Sequence, residues 1–167
     1  DILTTLEMQT AIDPPILIKW FWDIFIVDAL IGNWDRHNGN WGFLYNNATD
    51  EIKLAPVYDC GSCLFPQASE EIMKNTLEDP EERNLRVFEI PLSGIKINGK
   101  KIRYFDFISS LQNTDCNQAL KRILARIDLI KINKIIDETP FISDLQKTFY
   151  KTILKERKEH ILNFSYE

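Results

Sequence analysis

The sequence predicts a mainly α fold of the α+β kind, a helical body carrying two small β-hairpins, and three observations lead there. A long apolar segment opens on an aspartate and two prolines and closes on a glycine. Apolar residues recur at helical spacing through the last third of the chain. Alternating stretches centred on turn residues occur at only two places. One domain spanning residues 1–167 accommodates all three.

In chain order, Asp13-Pro14-Pro15 supplies an N-cap with proline in the first turn, and Gly32 stands where a helix stops. A helix is therefore predicted from Pro14 to Ile31. Lys19, Asp23 and Asp28 interrupt its apolar run, which falls short of the roughly 20 clean apolar residues of a membrane span and reads as a buried helix. Trp41 to Tyr45 and Ile52 to Ala55 flank the turn-rich Asn46 to Asp50, a hairpin signal. Pro56 ends the second strand and delivers Val57-Tyr58-Asp59-Cys60-Gly61, a tight turn in which Gly61 is free to take positive φ and Asp59 sits just beyond the strand. From Ser69 to about Asn84 the chain turns acidic and helical, starting at Ser69-Glu70-Glu71 and dense in charge from Glu78 to Arg83, and reads as a solvated connector. Ile95 to Ile102 alternates about Asn98-Gly99, the strongest hairpin signal present. Two C-terminal helices follow, one through Ala119, Leu120, Ile123, Leu124, Ile127, Ile130 and Ile135, the other from Phe141 to Phe164 through Leu145, Phe149, Ile153 and Leu154. Trp20, Trp22, Trp34 and Trp41 are expected in the core.

Aromatics at 11% and hydrophobics at 44% of 167 residues are enough for a packed core and exclude a disordered chain. A net charge of −5 gives no basic footprint for direct nucleic-acid binding, so an anionic substrate must be met locally, for instance through a metal. Three cysteines without regular spacing fit a reducing compartment, with a cytoplasmic location as the expectation. Cys60-Gly-Ser-Cys63 has redox or zinc half-site spacing but no second pair, and its thiols read as incidental. The chain opens on Asp1 rather than Met, which suggests a fragment or processed form.

The chemistry concentrates in Gly32-Asn33-Trp34-Asp35-Arg36-His37-Asn38-Gly39-Asn40, followed 19 residues after Asn40 by Asp59-Cys60-Gly61. Phosphoryl transfer needs an aspartate to orient the attacking hydroxyl, an amide oxygen a few residues on to ligate magnesium, and a second carboxylate to grip the metal bridging the phosphates. Asp35, Asn40 and Asp59 supply that set in that order, with the first hairpin as a strut between them. Oxygen ligands without a His or Cys partner suit magnesium rather than zinc. A structural reading stands beside this one, because Asp and Asn also serve as turn and capping residues after a helix. His37 either positions Asp35 or a phosphate, or simply holds the loop's shape. Arg36 either neutralises nucleotide phosphate or pairs with an acidic neighbour.

Asp-Arg-His-Asn-Gly-Asn at Asp35 to Asn40, with Leu54-Ala55-Pro56-Val57-Tyr58-Asp59 downstream, resembles the HipA-like kinase C-terminal domain. The Asp-Arg-His core is also similar to phosphoinositide 3- and 4-kinases, while the Ala-Pro-x-Tyr-Asp wording favours the HipA side. The resemblance implies a protein-kinase-like C-terminal lobe that uses ATP and Mg2+ to phosphorylate a protein Ser or Thr. On that resemblance Asp35 would be the catalytic base, Asn40 a magnesium ligand and Asp59 the counterpart of the aspartate in the kinase Asp-Phe-Gly element; beside them, His37 is a second catalytic candidate and Arg36, with Asn40 and Asp59, a cofactor-binding one. Cys60 stands where protein kinases have Phe. No glycine-rich phosphate loop occurs among the six glycines, and only about 30 residues precede the loop, so the nucleotide-binding lobe is expected in cis or on a separate chain. Two other classes stay open: a non-catalytic interaction module, with an antitoxin as a possible partner, and a lipid or small-molecule kinase.

Overall fold

The structure, a computed structural model, describes residues 2–167; Asp1, on which the fragment expectation rests, lies outside them. Its architecture is mainly helical with two separate two-stranded antiparallel sheets. Helix α1 (Ile2–Met8) precedes α2 (Pro14–Ile31), whose bounds are those predicted. Asp13 holds the N-cap position without a side-chain capping bond, and Gly32 closes the helix in the left-handed region (φ 63°, ψ 45°), its N–H donating to the Asp28 carbonyl. Strands β1 (Phe43–Asn46) and β2 (Glu51–Leu54) form the first hairpin, pairing Phe43 with Leu54 and Asn46 with Glu51. The second joins β3 (Leu92–Ile97) and β4 (Lys100–Arg103) through Asn98-Gly99, both at positive φ.

Helix α2 is the axis of the core. Leu17, Phe21, Trp22, Phe25, Ile26 and Ala29 are buried, and the helix packs against α1, α6 (Thr114–Leu124) and α8 (Asp144–Arg157). Trp22 and Phe25 meet Phe107 of α5 (Tyr104–Ser109), Trp22 in a stacked arrangement with ring centres 5.5 Å apart. Aromatic pairs of this kind each add about 0.5–1.5 kcal/mol beyond area burial, so α5, which no sequence expectation covered, is held by its rings.

Four expectations are corrected. The acidic stretch from Ser69 is no solvated connector: α3 (Glu70–Glu78), capped by the Ser69 side chain, buries Met73 and Thr76 and packs against Phe149 and Ile153 of α8, while α4 (Pro80–Asn84) carries the charge. The first C-terminal helix is two, because the chain breaks after α6 and Asp128 recaps α7 (Leu129–Glu138), leaving Ile130 and Ile135 on the solvent side. Phe141 is fully exposed at positive φ ahead of α8, outside any helix. Trp34 is 43% exposed, unlike buried Trp22, because it belongs to the loop rather than to the core.

One buried cation ties these layers together. Arg157, at the end of α8 and 1% exposed, donates from Nε to the Ala29 carbonyl (2.7 Å) and from Nη1 to the Arg86 and Val87 carbonyls (2.8 and 3.0 Å). Its desolvation lowers its pKa to about 10. The carbonyls satisfy a group that would otherwise be too costly to bury, and they fix α8 to the C-terminal end of α2, where the site begins.

Candidate active-site loop

Beyond Gly32 the chain reverses, and Asn33 is drawn inside, 0% exposed. Its Nδ2 donates to Asp28 Oδ1 (3.0 Å), its Oδ1 accepts from the Asp35 N–H (3.2 Å), and its carbonyl accepts from the Tyr104 hydroxyl (2.5 Å). This one residue thus fixes the start of the loop, through its side chain to α2 and through its carbonyl to α5. Burial pushes the Tyr104 phenol well above its ordinary pKa, with the nearby Asp28 charge adding to the rise. It therefore stays a neutral donor.

Arg36 organises the rest. Its Nε and Nη2 make a forked pair with the Asp28 carboxylate, 2.9 Å in each arm, and both residues are buried. Hydrogen bonding to Asp28 raises the guanidinium pKa further, against the opposing effect of burial. Nη1 donates to the carbonyls of Asn40 (3.1 Å) and Tyr58 (3.3 Å). Four of its five N–H groups are thereby occupied, so of the two partners open to Arg36, the acidic neighbour is the one it meets. A single guanidinium also holds the end of the loop beside the residue preceding Asp59. The Tyr58 hydroxyl adds a bond to the Gly39 carbonyl (3.1 Å), and β1–β2 spans the gap between.

The predicted site residues sit around this clamp. Asp35 is 45% exposed at its side chain. Asn40 is buried, and its Nδ2 donates to the Asp35 carbonyl (2.6 Å). With its amide nitrogen committed, its Oδ1 accepts none of the described hydrogen bonds and stays available as an acceptor. Asp59 is exposed and takes the positive φ (57°) that sequence reasoning assigned to Gly61; Asp tolerates that conformation better than most residues. His37 accepts the Gly39 N–H at Nδ1 (2.9 Å), which places any neutral-state proton on Nε2, 3.9 Å from Asp35 Oδ2. That gap exceeds a hydrogen bond. Cys60 is exposed, while burial pushes the Cys63 thiol up to about 12.

Among the described residues no three His, Cys, Asp or Glu side chains form a metal-binding group. A cation here would rest on one amide oxygen and one carboxylate, a donor set that fits Mg2+, which keeps waters and takes the remainder of its shell from phosphates. Asp28, the residue on which the clamp depends, was missed. The signal was there: an acid inside an apolar helix needs a buried partner, as Asp23 also does, paired with Arg122 at 2.8 Å.

By fold, the chain is a helical lobe that superposes on part of a kinase. The crystal structure of a Helicobacter pylori proinflammatory kinase, CtkA, matches it with a TM-score of 0.94 at 46% identity, covering 99% of this chain and 60% of that one. In sequence the chain is 46% identical over 167 residues to the serine/threonine-protein kinase CtkA of H. pylori strain J99, covering 99% of this chain and 51% of that protein. It thus spans about half the length of that relative. No family model matches the chain.

Proposed function

We propose that this chain is the catalytic-loop lobe of a HipA-like serine/threonine kinase, transferring phosphate from ATP to a protein hydroxyl with Mg2+ as the metal. The observation that supports this most is the Arg36 clamp, which joins the loop ending at Asn40 to the segment leading into Asp59. Likeness to CtkA, a serine/threonine kinase, points the same way.

In this reading Asp35 accepts a hydrogen bond from the acceptor hydroxyl and aims it in line with the γ-phosphate, receiving the proton as the new P–O bond forms and the bond from the γ-phosphorus to the bridging oxygen breaks, releasing ADP. Asn40 Oδ1 and the Asp59 carboxylate would hold the metal, which when bound would supply positive charge opposite the phosphoryl oxygens. Arg36 is a positioning residue. His37 shapes the Asn38–Asn40 turn through its bond from Gly39. A nucleotide-binding lobe, in cis or from a second chain, supplies the remaining phosphate contacts.

Calorimetry of ATP binding with and without Mg2+, on the full-length gene product and its Asp59→Asn variant, tests the metal roles. The expected result is Mg2+-dependent binding that the variant weakens by more than about tenfold. Equal binding by both proteins would remove Asp59 from the metal site.

A further inference from the structure

The β3–β4 hairpin is seated directly on the loop. Lys101 Nζ donates to the Trp34 carbonyl (3.3 Å) and lies 5.9 Å from the centre of its ring. Gly94 packs so closely that a Cβ there would come within 2.2 Å of the Arg36 carbonyl oxygen. Pairing puts Lys96 opposite Lys101, so both point to the same face of the ribbon, the one toward the loop. Two like charges directly opposite each other are unfavourable. Arg103 on the same hairpin is neutralised by Glu89 and Asp106, whereas Lys96 has no hydrogen bond or ion pair among the described residues. An uncompensated cation thus stands beside the loop of a protein whose net charge is −5. Lys96 also lines a cavity of about 540 Å3, floored by Phe21, Trp22, Ile95 and Phe107 and rimmed by His37 and Asn38.

We infer that this face docks the protein acceptor and selects acidic segments: Lys96 receives a carboxylate flanking the phosphorylated Ser or Thr, and the cavity takes a neighbouring apolar side chain. The inference rests on the phosphotransfer reading above and names its substrate class. Charge complementarity sets the preference and the apolar floor adds affinity, a division of labour common at protein interfaces. The ribbon's attachment to Trp34 and Arg36 keeps the lysine in register with Asp35.

The test uses the full-length gene product and two fluorescent serine peptides, one flanked by Glu and Leu, the other by Lys and Leu. Binding is read by anisotropy and transfer from labelled ATP. The acidic peptide is expected to bind at least about tenfold tighter, Lys96→Glu to reverse the order, and the affinity for Mg2+-ATP to stay unchanged. Equal binding of the two peptides, or a Lys96→Glu effect on ATP alone, would overturn the docking role. Transfer without charge preference would sink the docking inference and leave the kinase reading intact. Charge-selective binding without transfer to any peptide would do the reverse.

Discussion

A carboxylate carried into an apolar helix costs several kcal/mol unless a cation meets it, and Asp28 meets Arg36 through two 2.9 Å bonds. Removing one partner strands the other. Asp28→Asn should destabilise the fold by about 3–5 kcal/mol in denaturant titrations, and Arg36→Met by a similar amount. The double variant should cost much less than the two singles combined. Additive losses would mean that the pair is not coupled. The three thiols differ in their access to solvent. Cys60 is exposed, Cys63 and Cys116 are more enclosed, and burial pushes both of the latter up to about 12. Reactivity follows thiolate content and access, so alkylation at pH 8 followed by mass mapping should label Cys60 first. Early labelling of Cys116 would contradict its burial on the inner face of α6.

Among the elements, the second hairpin depends on two glycines for different reasons. Gly99 takes φ 78° in an open turn, whereas Gly94 lies against the Arg36 backbone. Gly99→Ala should cost about 1 kcal/mol through left-handed strain alone. Gly94→Ala must push the ribbon off the loop, and is expected to cost about 1–3 kcal/mol while disturbing the site as well. Paired thermal melts and Mg2+-ATP titrations separate the two; similar behaviour of both variants would dissolve the distinction. Local rules reached these elements well where chemistry was local. Asp13-Pro14-Pro15 and Gly32 bounded α2, and Asn98-Gly99 marked the hairpin. They failed where tertiary contacts decided. The short α5 is held by rings from α2, α3 gains its buried face only against α8, and a periodic run from Ala119 to Ile135 concealed a break that Asp128 recaps. At the site, Asp35, Asn40 and Asp59 were visible as spaced oxygen donors. The clamp that holds the Asn40 and Tyr58 carbonyls together was not, because Arg36 joins residues 8 and 22 positions away.

For the molecule as a whole, Arg157 fastens α8 to α2 and to the segment before Pro91, and the chain carries 25 acidic against 20 basic residues. No helix among the described residues is long and apolar enough to cross a membrane. Stability should depend on pH in a defined direction. Cys63 and Cys116 have folded values of about 12 against an ordinary 9.0, and Tyr104 is raised too. The unfolded chain therefore loses these protons first, so their contribution is complete below about pH 9 and is lost as pH climbs toward 12. Denaturation midpoints should fall above pH 9, and less steeply in Cys116→Ala; an unchanged pH slope in that variant would refute the burial argument. Phosphate transfer from ATP is the chemistry proposed for Asp35. Its most direct test is the rate at which the full-length gene product moves the γ-phosphate of ATP to a serine-containing protein, compared with Asp35→Asn. A loss of at least about a hundredfold with Mg2+-ATP affinity preserved is the predicted result, and transfer by Asp35→Asn at the rate of the unaltered protein would contradict it.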